Sequence, residues 1–84
     1  MTQIINQEIT VSSFYFRSGQ GMKTFPRRIE WNGQPVTFAE AGLRMLVQQG
    51  SKLVQLFDMT DGQTTYRLKR DGSQWILIGT RAGA

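Results

Sequence analysis

Eighty-four residues carry ten Lys and Arg against six Asp and Glu, a formal net charge of +4, with no Cys and no His. A chain this short buries about 60–65% of its unfolded surface and supports one core, so a single domain over 1–84 is expected, with 1–8 and 81–84 poorly ordered. Without Cys there is no disulfide, thiolate nucleophile or Cys-type zinc site, and without His no imidazole base or ligand, which closes the common hydrolytic and metalloenzyme routes.

The expectation is therefore a non-enzymatic protein with no cofactor and no metal. The N-terminal residues lack a basic segment followed by an apolar run, and no stretch approaches the ~18 apolar residues of a membrane span. A soluble, cytoplasmic protein with no membrane role is the default.

In chain order, Thr10 to Arg17 is rich in β-branched and aromatic residues and alternates, placing Phe14 and Phe16 on one face and Tyr15 and Arg17 on the other. Ser18-Gly19-Gln20-Gly21 supplies a turn or loop, and Met22 to Trp31 is a second extended run. Pro26 within it cannot donate to a ladder and marks an edge or a bulge. Asn32-Gly33 accepts the two positive φ values of a type I′ turn, so a hairpin follows. Its return strand, about Gln34 to Phe38, contains Pro35 and again suggests an edge.

Thr37 and Glu40 fit a capping box, and Gly50 stands where a left-handed residue closes a helix; a helix over about Phe38 to Gln49 is predicted between them. Beyond it, Lys52 to Met59, Gln63 to Arg70 and Gln74 to Thr80 are extended runs joined at Asp61-Gly62 and Asp71-Gly72, a three-strand meander. The fold class that results is α+β: an antiparallel sheet of about six strands, order βββαβββ, with one helix on one face. The core row takes Phe14, Phe16, Ile29, Trp31, Tyr66 and Leu68, with Leu53 or Val54, Leu56 or Phe57, and Trp75/Leu77 or Ile76/Ile78. A small barrel is the alternative, because a helix between the third and fourth strands is similar to the element order of OB-folds, five-stranded barrels that often bind single-stranded nucleic acid.

The feature with most functional content is basic residues interleaved with aromatics. Backbone binding to nucleic acid needs clustered Lys and Arg, and single-strand binding adds aromatic faces for bases. If Tyr66 and Leu68 face inward, Arg67 and Lys69 face out together; Arg28 joins them if Ile29 is buried, and Tyr15 and Arg17 if Phe14 and Phe16 are. Tyr15, Arg17, Arg28, Arg67 and Lys69 are thus the candidate site for an anionic partner such as nucleic acid.

A +4 charge is also ordinary for a small domain, and lysine and arginine on strands deter edge-to-edge pairing. The phenylalanines are read as core. Gly19-Gln20-Gly21 lacks the strand-to-helix setting and the Gly-Lys-Ser/Thr ending of a phosphate cradle, and Asp58 to Gly62 lacks the distal glutamate of a calcium loop. The alternative function is a protein-interaction or homodimerisation module, since mixed-facing apolar strands such as Leu53-Val54-Gln55-Leu56-Phe57 can bury a face or an edge against another copy. No family motif is carried by the chain.

Overall fold

The computed structural model describes residues 2–17, 23–40 and 42–83. These form seven strands: β1 (Thr2–Arg17), β2 (Lys23–Trp31), β3 (Gln34–Thr37), β4 (Leu43–Gln49), β5 (Lys52–Thr60), β6 (Thr64–Asp71) and β7 (Gln74–Ala82). All belong to one antiparallel sheet of order β3-β2-β1-β7-β6-β5-β4, and there is no helix among the described residues. The architecture is all-β. The expected α+β arrangement, its helix over 38–49 and the likeness to OB-fold element order are all overturned.

The helix fails for identifiable reasons. Thr37 ends β3 and its Oγ1 accepts from Arg28 Nε at 3.2 Å instead of capping a turn. Gly42 lies so close to β5 that a Cβ there would collide with the Asp58 carbonyl oxygen. Gly50 has φ 62, but at the first central position of the tight β4–β5 turn and not after a helix. The Leu, Met and Gln of residues 43–49 favour helix by only tenths of a kcal/mol each, whereas as a strand all seven pair with β5 and bring Val47 beside the buried Val54.

Hairpin chemistry elsewhere follows the local signals. Asn32 and Gly33 have φ 53 and 71 between Trp31 and Gln34, and β3, with its Pro35, is an edge strand. Pro26 sits opposite Phe14, beyond the reach of β3, where two compensating register shifts interrupt the β1–β2 ladder. The run 18–22, with its glycine pair, lies outside the described residues.

β1 starts at Thr2 rather than Thr10 and is where the sheet folds. Its first half pairs with β7 and its second with β2, and Asn6, at φ 51, supplies the extra residue of a bulge between Ile4 and Gln7. β2 and β5 are four positions apart, roughly 19 Å in a flat sheet. Yet the Phe25 and Phe57 ring centroids lie 6.0 Å apart and those of Trp31 and Tyr66 6.5 Å, so the sheet curls until its two halves meet.

The chain crosses the open side of the curl after β3. There Phe38 N–H donates to the Arg27 carbonyl and Ala39 N–H to the Thr60 carbonyl, each at 2.8 Å, tying β2 to β5, while the Phe38 ring is buried against Tyr66.

The core inside the curl comprises Ile9, Phe25, Ile29, Phe38, Phe57, Met59, Tyr66, Leu68, Trp75 and Leu77. Of the open choices, Val54, Phe57 and the Trp75/Leu77 row are the buried ones. Phe16 is 70% exposed, against expectation, because the odd row of β1, Ile9, Val11 and Tyr15, faces the core on both sides of the two compensating shifts and leaves Phe16 on the outer row.

Candidate interaction surface

The five residues selected for charge and stacking fall on separate parts of this sheet. Tyr15 is half-buried: opposite Phe25, it packs on the core, and its hydroxyl donates to the Phe38 carbonyl at 2.7 Å. The Arg27 guanidinium lies 5.7 Å from its ring centroid. The ring is therefore engaged by the core and by a cation. Arg17 ends β1 opposite Lys23, and its side chain lies outside the described part of the structure. Arg28 is exposed on β2, held to Thr37.

Arg67 and Lys69 do share the outer face of β6, with Tyr66 and Leu68 buried behind them. Arg67 is bound fork to fork by Asp58, Nε and Nη2 each donating to a carboxylate oxygen at 2.8 Å. These bonds hold the guanidinium charged even more firmly than usual. They also occupy the donors a phosphate would use. Asp58 is legible once the hairpin is counted back from its loop, since Thr60 opposite Thr65 puts Asp58 opposite Arg67.

Other cations are similarly committed. Lys52 pairs with Asp71 at 3.5 Å, Arg44 Nε donates to Gln55 Oε1, and Arg70 lies over Trp75. Arg27 is exposed, its side chain held only by the Tyr15 ring; Lys69 and Arg81 are the outward cations that make no hydrogen bond, ion pair or ring contact among the described residues. Arg28 lies three strands from β6, roughly 14 Å along the sheet, with Glu30 beside it on β2 and Glu8 on the intervening β1. The structure does not gather the basic residues into one patch.

A depression of about 200 Å³ on the outer face has its floor at Gly79, where β1 passes so close that a Cβ would stand 2.5 Å from the Gln3 carbonyl oxygen. Its walls carry Ile4, Ile78 and the Asp58–Arg67 pair. Among the described residues that line it, the one acid, Asp58, is committed to Arg67.

Sequence reasoning missed the β4–β5 hairpin as a surface, because it assigned 43–49 to a helix. Leu43 and Leu46 are each 60% exposed and Leu53 is 68% exposed. β4 pairs on one side only, with β5, and its other side is a sheet edge. Compared with known proteins, the chain matches no family model, no curated protein and no solved structure.

The two edges of the sheet are built differently. β3 has four residues and a proline, a short edge that cannot offer a full row of donors. β4 has seven residues without Pro or Lys, and its ladder with β5 runs without a register shift. A straight strand of this kind presents N–H and C=O groups in the geometry another strand needs, with leucines beside them. No described helix is long and apolar enough to cross a membrane.

Proposed function

We propose that this chain is a non-enzymatic binding domain that acts through protein contact at its β4 edge. The observation that carries the reading is that edge: seven residues long, unbulged, without Pro or Lys, its one charge Arg44 held by Gln55, and carrying or adjoining Leu43, Leu46 and Leu53, three of the five exposed large apolar side chains. Main-chain pairing supplies affinity in such contacts, and side chains on alternating faces supply selectivity.

A second reading, contact with an anionic partner such as nucleic acid, rests on Lys69 and Arg81, the two outward cations without partners among the described side chains. One experiment separates the two: a photo-crosslinking residue placed at 46 or at 69 and activated in cells. Protein adducts at 46 support the β4 reading. Nucleic-acid adducts at 69, with nothing at 46, would overturn it.

A further inference from the structure

We infer that the strand β4 accepts is β4 of a second copy, paired antiparallel about a two-fold axis through Leu46; this rests on the β4-edge reading above. In an antiparallel pair, facing residues share the same hydrogen-bond orientation, so the axis of a symmetric pair must pass through a residue. That leaves few registers for Leu43–Gln49. Centring on Arg44 sets guanidinium against guanidinium. Centring on Met45 or Val47 leaves two residues of the strand unpaired. Centring on Leu46, the midpoint, pairs all seven.

This register is self-complementary on both faces. Leu46 meets Leu46 of the second copy, flanked on the same face by Arg44 opposite Gln48, so the cation meets an amide rather than its like. Leu53 lies diagonal to Leu46 across β5, so each copy adds one more leucine to the contact. On the other face Met45 meets Val47, and Leu43 meets Gln49. Every apolar residue of β4 but Leu43 thus finds an apolar partner, and no like charges face each other. The two sheets join into one of fourteen strands whose only remaining edges are the proline-bearing β3 strands.

The axis position makes the test specific, because only a residue on the axis can crosslink to itself. The chain has no cysteine, so a single one is a clean probe. Directly opposed Cβ atoms in an antiparallel pair are about 4.5–5.5 Å apart, close enough for a disulfide after small adjustment. Under mild oxidation Leu46→Cys is expected to give a crosslinked dimer, and Leu43→Cys to stay predominantly uncrosslinked. Unmodified protein is expected to show a concentration-dependent monomer–dimer equilibrium by light scattering, and Leu46→Arg to be monomeric with unchanged circular dichroism.

Equal crosslinking at 43 and 46, or a monomer at every concentration, would overturn the second-copy assignment. A monomer that still gives adducts to other proteins at position 46 overturns this inference alone. A monomer without protein adducts there overturns the β4 reading as well.

Discussion

The curl of the sheet rests on contacts between strands that are not neighbours, and the Phe25–Phe57 pair tests it most directly. In a flat sheet these rings would sit roughly 19 Å apart and their energies would be independent. In the structure they meet edge to face with centroids 6.0 Å apart, 3% and 1% exposed. A pair in that geometry contributes about 0.5–1.5 kcal/mol beyond the area it buries.

Replacing either ring by leucine keeps the site apolar and costs about 1–2 kcal/mol through the lost volume and contacts. Once one ring is gone, the second substitution has less to remove, so the double variant should fall short of additivity by about 0.5–1.5 kcal/mol. Urea unfolding followed by Trp31 and Trp75 fluorescence measures all four corners of the cycle, and unchanged slopes show that the unfolded state is common to them. Leu56→Ala serves as the control: Leu56 adjoins Phe57 but faces outward, so it should add to Phe25→Leu within about 0.5 kcal/mol. Additivity of Phe25→Leu with Phe57→Leu to within that margin would refute a closed curl.

Two further outcomes follow from the geometry. The Tyr66 hydroxyl is pushed up to about 12 by burial and by donating to the Asp61 carboxylate at 3.0 Å. A phenol held protonated in the folded state leaves stability unaffected below pH 10, where both states keep the proton. Stability then falls as pH rises from 10 to 12, by about 1–2 kcal/mol once solvent near the hydroxyl is allowed for. Tyr66→Phe should remove that part of the alkaline slope in urea titrations, and identical slopes for the two proteins would contradict it. Gly79→Ala places a Cβ 2.5 Å from the Gln3 carbonyl and should cost about 1–3 kcal/mol, with faster amide exchange in the Thr2–Ile4 segment and little change in β4 and β5; unaltered exchange there would show that β1 does not pass over Gly79.

How far the sequence reveals this fold depends on whether each signal is local. Asn32-Gly33 needs nothing beyond its own dihedral preferences, and the turn forms where those residues stand. Period-two alternation in residues 64–71 likewise states which side of β6 is buried. Phe16 fails because both rows of residues 10–17 carry aromatics, and the row that faces the core is set by Ile9 and Val11 earlier in the strand, which Tyr15 and not Phe16 continues. The stretch 38–49 fails because its cap-like Thr37, its Leu, Met and Gln, and its closing glycine all describe a helix as well as a strand. What decides is the Asp58 carbonyl against Gly42 and a free side of β5 waiting for a partner, both contributed by the next strand and not by the stretch itself.

The same reasoning limits what a charge count says about function. Lys and Arg counts set a net field, but a cation is available to a ligand only if nothing in the protein already holds it, and that is a question of register. The pairing of Thr60 with Thr65 puts Asp58 under Arg67, and the Asp71–Gln74 turn brings Asp71 to Lys52. Two ion pairs thereby arise from the hairpin lengths alone. Setting aside those two cations, the three held by Thr37, Gln55 and Trp75, and Arg27 on the Tyr15 ring leaves Lys69 and Arg81, among the described side chains, as the outward cations free of partners, whereas β4 is paired on one side only. Availability, not composition, therefore shifts the balance from a polyanion toward another strand.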